Sequence, residues 1–374
     1  MRIAVNTRFL RETFHGGIGK FTHETFRRLT VQHPEHHFYF LFDRKYSANF
    51  IYSTNVTPLI VGQPARHPFF WYAWYEWAIP PVLKNIKADL FISPDGFLSL
   101  STRTPSIAVI HDLNFEYYPH FVPFFERLYY RHYFPKFAKK AKRIITVSEF
   151  SRQDIAKQYK INSNKIDVAY NGSSKEYKPL DESERFQVRQ QFSDGNEYFI
   201  FVGGLYPRKN IRNLLLAFDE FKRKTHSDFR LIIVGPKIWW SSDWEYVYKR
   251  MEFAKHVLFF NALNFTDLTR LVGAAFALVF PSWFEGFGIP IVEAMSCQVP
   301  VITSLTSSMP EVAGDAALYV NPSLVDSISK AMIKIIEDNN LRDKIIENGK
   351  VQILKFSWDK TAEDVWKSVE KVMN

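Results

Sequence analysis

The segment Glu285-Gly-Phe-Gly-Ile-Pro-Ile-Val-Glu293, together with the apolar run Ala277-Leu-Val-Phe280 before it, decides the fold of this chain. Four consecutive apolar residues ended by a proline are typical of a strand buried on both faces in a parallel sheet. Pro290 suits the first turn of a helix, so the stretch predicts a strand, a loop and a helix in that order. Glu285 then lies in the loop at the carboxyl end of the strand and Glu293 in the first turns of the helix. Open parallel sheets bind their ligands at this edge.

The residue types in this segment suit a phosphorylated polyhydroxy ligand. Gly286 and Gly288 allow main-chain amides to approach a ligand closely, and the start of a helix favours an anion. The carboxylates of Glu285 and Glu293 can accept hydrogen bonds from vicinal hydroxyl groups, one on a sugar ring and one on a ribose. Two acids at this spacing are equally typical of a solvated surface turn, so neighbouring segments must decide between the two interpretations.

A second strand, loop and helix carries two cations. The apolar strand Tyr198 to Val202 is followed by Gly203-Gly204 and then by Arg208-Lys209, ahead of a helical pattern. A diphosphate gains negative charge as its bond to a sugar breaks, and a cation within about 4 Å contributes up to about 4 kcal/mol at an effective dielectric near 20. Alone, such a basic pair is more often solvated surface. Together with the acidic segment it predicts a phosphate clamp.

In this order and spacing, the motifs resemble glycosyltransferase family 4. The resemblance implies a retaining, nucleotide-sugar-dependent enzyme built from two Rossmann-like, doubly wound α/β domains that face each other across a cleft, the GT-B architecture. It extends over nearly the whole chain. Besides the two segments above, it is carried by Arg2–Val5, Gly16–Lys20, Val109–Leu113, Thr146–Ser151 and Asn171-Gly172.

The resemblance also implies a role for individual residues. The donor sugar would be held by the loop Glu285, Gly286, Phe287 and Gly288. The diphosphate would be bound by amides of one domain and cations of the other, at Gly16, Gly17, Arg208 and Lys209. Glu293 would hold the ribose, and the turn at Asn261 and Leu263 would contact the nucleobase. His111 would lie beside the anomeric carbon, so His111 and Glu285 are the catalytic candidates.

Two observations qualify these roles. Many members of the family have an arginine where this chain has Gly204, so the cationic work rests on Arg208 and Lys209. By itself, His111 reads as a strand-end histidine satisfied by local hydrogen bonds, and the neighbouring motifs favour the ligand role.

The length of 374 residues fits two domains with full hydrophobic cores. Further strands are predicted at residues 2–6, 38–42, 90–92, 107–110, 144–147, 166–170, 231–234, 257–260 and 301–302. The resemblance implies an acceptor-binding domain over residues 1–170 and a nucleotide-sugar-binding domain over 171–356. It also implies that a final helix at 357–374, which has an apolar stripe, returns to the first domain, and the alternative is that this stripe packs on its own domain.

Charge is concentrated in the first half of the chain. Residues 1–172 contain 23 Lys and Arg against 13 Asp and Glu, a net charge of +10, whereas residues 173–374 have a net charge of −1. The most basic stretch, Arg127 to Arg143, is interleaved with Tyr and Phe residues. This combination suits an anionic membrane or a lipid-linked diphosphate acceptor. Its candidate contact residues are Arg131, Lys136, Lys139 and Lys140. The alternative is an amphipathic helix with its aromatic rings in the core. A second aromatic cluster, residues 69–77, is predicted as a helix that is partly exposed at the membrane interface, and a membrane-facing loop is the alternative.

The chain has no run of about 20 apolar residues and its single cysteine, Cys297, permits no intrachain disulfide. These features predict a cytoplasmic protein, with the inner face of the membrane as its place of action. No Asp-x-Asp pair and no zinc-like histidine spacing occurs, so we expect no metal and no cofactor. Cationic side chains and helix N-termini would neutralise the departing diphosphate instead.

The leading interpretation is a hexosyltransferase that moves a hexose, with GDP-mannose as the donor, to a glycan or lipid-linked acceptor of a bacterial surface polysaccharide. Because no carboxylate is an obvious nucleophile, we expect same-face transfer with the leaving phosphate accepting the proton. One alternative is a nucleotide-sugar epimerase of the same architecture. Another is a basic protein that binds a membrane or nucleic acid, although the acidic segment speaks against nucleic acid as a partner.

Overall fold

The computed structural model describes residues 1–11, 16–65, 67–237, 242–261 and 263–373. Contacts within the chain divide it into two compact units, one of Met1–Asn171 with Ser357–Asn374 and one of Gly172–Phe356. The sequence-based boundaries fall after residues 170 and 356. Each unit contains one parallel sheet, of seven strands in the first and six in the second.

Thirteen strands make up the two sheets within the described residues. In the first unit they are β1 Arg2–Asn6, β2 His37–Phe42, β3 Val56–Ile60, β4 Leu90–Ser93, β5 Ser106–Val109, β6 Arg143–Thr146 and β7 Ile166–Val168. In the second they are β8 Tyr198–Val202, β9 Arg230–Val234, β10 Val257–Phe260, β11 Ala277–Phe280, β12 Val301–Ser304 and β13 Ala317–Val320.

Helices connect these strands. Those of the first unit are α1 Gly17–Gln32, α2 Pro68–Ala73, α3 Ile79–Asn85, α4 Asn114–Tyr117, α5 Phe124–Lys140 and α6 Glu149–Tyr159. Those that follow are α7 Glu182–Ser193, α8 Ile211–Thr225, α9 Ser242–Arg250, α10 Phe265–Gly273, α11 Ile289–Ser296, α12 Met309–Ala313, α13 Val325–Glu337, α14 Asn339–Gln352 and α15 Trp358–Met373. A π-helical stretch, Trp74–Ala78, joins α2 to α3.

Both sheets have the doubly wound order expected of Rossmann-like domains. The first runs β3-β2-β1-β4-β5-β6-β7 and the second β10-β9-β8-β11-β12-β13. The order reverses beside the first strand of each sheet, between β1 and β4 and between β8 and β11. The loops that leave these paired strands diverge at their carboxyl ends and form the crevice where such folds bind ligands. The predicted fold class is confirmed for each unit.

Eleven strands coincide with predicted apolar runs to within a few residues, and two were not predicted. β3 and β13 are the unpredicted strands, and each lies at an edge of its sheet. β3 contains Pro58 and buries only Val56, while three of the four residues of β13 are half-buried. An edge strand is covered less and tolerates proline, so its sequence lacks a continuous apolar run.

The last helix belongs to the first unit. α15 packs against α1, β6 and β7. Its buried stripe consists of Trp358, Thr361, Ala362, Val365, Ser368 and Val369. Asp167 in the middle of β7 accepts hydrogen bonds of 2.8 Å from both Ser368 Oγ and Lys371 Nζ. The predicted return of the chain to the first domain is therefore confirmed.

Candidate active site

Two loops of the second unit meet at the crevice between β8 and β11. Gly203 follows β8 and has φ +150°. Gly235 follows β9 and lies so close to Gly203 that a Cβ on Gly235 would be 2.0 Å from the Gly203 carbonyl oxygen. The main chain of Trp283, in the loop after β11, donates a 2.8 Å hydrogen bond to the carbonyl of Arg208. These contacts bring the predicted cation loop and the predicted acid loop together.

Glu285 forms ion pairs with both cations of the predicted clamp. Lys209 Nζ donates to Oε1 at 2.6 Å, and Arg208 Nη1 donates to Oε2 at 2.6 Å and to the Phe284 carbonyl at 3.1 Å. The side chains of Glu285 and Lys209 are 7% and 9% exposed, whereas that of Arg208 is 23% exposed. Lys209 Nζ also lies 4.7 Å from the centre of the Phe280 ring. The sequence therefore identified three residues that form one cluster.

Burial alone would raise the pKa of Glu285, but the charges of Arg208 and Lys209 outweigh it and lower that pKa to about 2. The carboxylate stays ionised at neutral pH. It can accept hydrogen bonds from hydroxyl groups and is a poor proton donor. With one acid and two bases, the cluster has a net charge of +1 and suits an additional anion.

Sequence reasoning missed the residues that fix these loops. Ser307, at φ +55°, accepts a 3.0 Å hydrogen bond from the Glu285 amide, and Ser308 Oγ donates to the Glu285 carbonyl at 2.9 Å. Asn210, at φ +60°, donates from Nδ2 to the carbonyls of Pro281 and Pro322 at 3.0 and 2.8 Å. The polar run between β12 and α12 was a usable signal, because β12 is the neighbour of β11 in the sheet.

The position where many family members have arginine is closed off here. A Cβ on Gly204 would lie 2.7 Å from Cε2 of the Tyr206 ring. Tyr206 is half-buried, and its amide donates to the Gly204 carbonyl at 2.9 Å. A longer side chain at Gly204 therefore requires the ring of Tyr206 to move.

Glu293 lies in the second turn of α11, as predicted, and is 4% exposed. Its carboxylate hydrogen-bonds with the side chain of Tyr177, a residue just past the boundary between the units. Burial is the main cause that raises the pKa of Tyr177, and the Glu293 charge adds to it. The hydroxyl therefore stays protonated and available to hold the carboxylate. The ribose-binding role of Glu293 remains a prediction.

The rest of the acidic segment forms the turn into α11. Gly288 precedes the helix at φ +106°, a conformation that favours glycine, and Pro290 lies in the first turn. The Phe287 ring is 3% exposed and packs edge-on against Phe356, with ring centres 5.4 Å apart. That ring belongs to the core, which leaves the main chain of Phe287 and Gly286 as the part predicted to reach a sugar.

In the first unit, His111 follows β5 and the intervening Ile110. Its Nε2 donates to the Pro94 carbonyl at 2.8 Å, and its ring meets Phe21 edge-on at 5.2 Å. Because a carbonyl only accepts, Nε2 carries the proton and the neutral ring has an acceptor at Nδ1. Burial lowers the pKa of His111 against the opposing effect of this hydrogen bond. The neutral form therefore prevails at neutral pH.

Gly16 and Gly17 begin α1, whose sixteen residues include no acid in the first turn. The start of a helix of this length presents amide groups and a partial positive charge, as an anion site requires. Residues 12–15, just before it, lie outside the described residues.

The predicted nucleobase turn is described only in part. Asn261 is exposed and accepts a 3.2 Å hydrogen bond from the Lys237 amide, and Leu263 is half-buried. Residues 238–241 and 262 lie outside the described residues, so the nucleobase role stays a prediction.

Two family profiles match the chain. The one described as "Glycosyltransferase Family 4" matches residues 15–176, and the one described as "Glycosyl transferases group 1" matches residues 182–352. O-antigen chain mannosyltransferase B of Escherichia coli is 32% identical over 280 residues, which cover 74% of this chain and 73% of the relative. The chain belongs to glycosyltransferase family 4.

A second relative and a solved structure agree with this assignment. O-antigen chain mannosyltransferase RfbU of Salmonella typhimurium is 32% identical over 290 residues, covering 76% of this chain and 77% of that one. The crystal structure of Anabaena HepE in complex with UDP-glucose superposes with a TM-score of 0.77 at 17% identity, covering 99% of this chain and 100% of that one. The GT-B fold is thus shown, and the epimerase alternative gains no support.

The basic stretch of this family 4 enzyme forms α5. Arg131, Lys136, Lys139 and Lys140 are all exposed, as predicted. The Tyr and Phe rings between these cations belong to the protein interior. Tyr129, Phe134 and Phe137 are buried, and Tyr130 and Tyr133 pack against the core. The amphipathic-helix interpretation describes those rings correctly. Rings and cations are not fully separated on the helix, because Lys136 lies over the Tyr133 ring at 5.5 Å.

The described residues contain neither a metal-binding cluster of acidic, His or Cys side chains nor a membrane-spanning helix. No group of three or more His, Cys, Asp or Glu side chains among them is arranged to hold a metal ion. Within the same part of the chain, no helix has the length and apolar character needed to cross a bilayer.

Proposed function

We propose that this glycosyltransferase is a retaining mannosyltransferase. It takes mannose from a nucleoside diphosphate donor, GDP-mannose, and adds it to a glycan or lipid-linked acceptor of a bacterial surface polysaccharide of the O-antigen type. The names of the two relatives that are 32% identical support the sugar and the pathway. The observation that carries the chemistry is the cluster of Glu285, Arg208 and Lys209 at the crevice of the second sheet.

In this proposal the cluster binds the donor at two points. The ionised Glu285 accepts hydrogen bonds from hydroxyl groups of the mannose, and its pKa of about 2 keeps it charged throughout. Arg208 and Lys209 are shared between Glu285 and the diphosphate. As the glycosidic bond breaks, the phosphate oxygen gains charge, so its attraction to both cations increases in the transition state.

His111 is proposed to contact the sugar as a neutral acceptor. Its Nε2 proton is committed to the Pro94 carbonyl, which leaves Nδ1 for a hydroxyl group of the donor. A neutral ring beside the anomeric carbon does not repel the positive charge that develops there. The lowered pKa of His111 therefore serves the reaction.

Retention is proposed to proceed on one face of the sugar. Both oxygens of Glu285 accept hydrogen bonds from cations, and Asp112 Oδ1 accepts from the amide and the side chain of Asn114 at 3.0 and 2.5 Å. These contacts make both carboxylates weak nucleophiles. The leaving phosphate then accepts the proton of the acceptor hydroxyl, and no covalent glycosyl enzyme forms.

Neutralisation of the leaving group is proposed to come from Arg208, Lys209 and the N-terminus of α1, without a metal ion. Transfer should continue in EDTA at the rate seen with magnesium. A strict requirement for added Mg²⁺ or Mn²⁺ would refute this part of the proposal.

The proposed function is tested by incubating the full chain with a panel of nucleotide sugars and an extracted glycolipid acceptor. We expect transfer from GDP-mannose to exceed transfer from UDP-glucose and UDP-galactose. Anomeric coupling in the NMR spectrum of the product should show the configuration of the donor. An inverted product, or mass-spectrometric capture of a glycosyl adduct on Glu285 or Asp112, would contradict the mechanism.

A further inference from the structure

We propose that one face of the first unit docks on an anionic lipid bilayer. This face, called here the aromatic face, is formed by α2, the π-helical stretch after it and the first turns of α5. Its exposed apolar side chains are Phe69, Phe70, Trp77, Phe124, Phe125 and Leu128. The inference extends the proposed function by specifying where the enzyme meets a membrane-borne acceptor.

The six apolar side chains of the aromatic face are exposed as neighbours. Phe125, Trp77 and Phe69 are 66%, 62% and 60% exposed. Large apolar residues that cluster in this way, rather than lie scattered, mark surfaces that bind something. The core beneath them is complete, because Trp71, Trp74 and Tyr75 from the same stretch are buried.

Ring contacts join the five aromatic side chains of this face into one surface. Phe69 meets Phe70 at 5.6 Å and Trp77 at 6.5 Å, and Phe124 meets Phe125 at 5.5 Å. His67, which caps α2 by accepting from the Phe69 amide, lies 6.4 Å from Phe125 and connects the two halves.

Cations border the aromatic face on α5. Arg127 lies over the Phe124 ring at 5.3 Å, and Arg131 has 62% of its side chain exposed. One turn further, Lys136 lies over the Tyr133 ring at 5.5 Å. Aromatic side chains settle at the level of lipid headgroups, and adjacent cations are attracted to anionic lipids. The surface therefore combines the two side-chain types that an anionic membrane attracts.

The nearby acids do not cancel this charge. Glu76 is held inward by the amides of Leu100 and Ser101 at 2.6 and 3.0 Å. Glu126 is half-buried, and burial raises its pKa. Glu116 faces Arg131 at 3.5 Å, a long and weak pair.

A membrane fits the aromatic face better than a second copy of the chain. A symmetric dimer through this face would bring two copies of Arg127, Arg131 and Lys136 into one interface. The net charge of +10 over residues 1–172 makes such contact still less favourable and attracts an anionic bilayer.

The test is flotation of the full chain with vesicles, in the absence of any donor, so that failure of the proposed reaction does not affect it. We expect binding to vesicles containing phosphatidylglycerol and at least tenfold weaker binding to pure phosphatidylcholine. The double variant Phe124→Ser/Phe125→Ser should bind anionic vesicles at least tenfold more weakly. Phe186→Ser is the matched control, because Phe186 is 59% exposed on α7 of the other unit and should not alter binding.

The charge is tested separately with Arg131→Gln, set against Lys330→Gln on α13. Arg131→Gln should weaken binding to anionic vesicles and flatten its salt dependence, while Lys330→Gln should do neither. Equal binding of wild type and Phe124→Ser/Phe125→Ser would overturn the proposal. So would a dimer in sedimentation that dissociates in this variant, or competition by a single-stranded RNA that displaces the vesicles.

Discussion

Lys209 Nζ donates a 2.6 Å hydrogen bond to Oε1 of Glu285, 76 residues further along the chain. Both side chains are almost fully buried, and the second oxygen of Glu285 is held by Arg208. The acid predicted to grip the sugar and the cations predicted to grip the diphosphate are therefore one electrostatic unit. Any change to one of them should alter the function of the others.

Glu285→Gln should lower turnover about 100-fold or more, because the amide cannot offer two ionised oxygens to the sugar or orient both cations. Steady-state transfer with GDP-mannose measures this. Glu220→Gln, which removes an acid paired with Lys224 on α8, is the control and should keep wild-type turnover. Equal losses in the two variants would show that a general loss of charge, and not the cluster, matters.

The ion-paired Glu285 should make the second unit sensitive to acid. Its pKa is about 2 in the folded protein, below the ordinary 4.5, so its stabilisation is complete above pH 4.5 and is lost as the pH falls towards 2. A shift of this size corresponds to about 3 kcal/mol. Urea unfolding of wild type and Glu285→Gln should show a stability difference at pH 7 that shrinks between pH 4.5 and pH 2. A difference that is constant over that range would contradict the assigned pKa.

Much of the fold was predictable because both sheets bury their central strands on two faces. Tyr198–Val202 and Ala277–Phe280 are continuous apolar runs, and their strand limits match the prediction. The edge strand Val56–Ile60 was not predictable in this way, since solvent on one side permits polar residues and a proline.

The identities of the site residues were predictable from the sequence, but the way in which the loops bring them together was not. The acid and the two cations were identified from their positions after strands. The direct contact between the acid and the cations could not be predicted, because it depends on loops held by Ser307 and Asn210, both at positive φ. Nothing in a single sequence marks a serine as adopting that conformation.

Gly204→Arg should lower activity, even though arginine is common at this position in the family. The new Cβ would lie 2.7 Å from Cε2 of the Tyr206 ring, so the ring would have to move within the loop that carries Arg208 and Lys209. Gly204→Arg/Tyr206→Ala should recover part of the loss by removing the obstacle. Thermal unfolding and transfer assays of the single and double variants test this. A single variant as active as wild type would show that the ring moves freely.

Tyr177→Phe should raise the KM for the donor about fivefold to tenfold and leave kcat within about twofold. The lost hydrogen bond to Glu293 contributes roughly 1 kcal/mol to the position of the carboxylate, which is proposed to hold the ribose. Tyr319→Phe is the matched control, because the Tyr319 hydroxyl donates to the main-chain carbonyls of Pro310 and Gly314 beside α12. A drop in kcat with unchanged KM would place Glu293 in the chemical step instead.

The most direct test of the cluster is calorimetric binding of GDP-mannose in EDTA to wild type and to Lys209→Met. Methionine keeps the length of the side chain beside Phe280 and removes its charge. We predict that wild type binds the donor and that Lys209→Met binds it at least tenfold more weakly, with mannose alone bound by neither. Equal affinity of the two proteins for GDP-mannose would contradict the account.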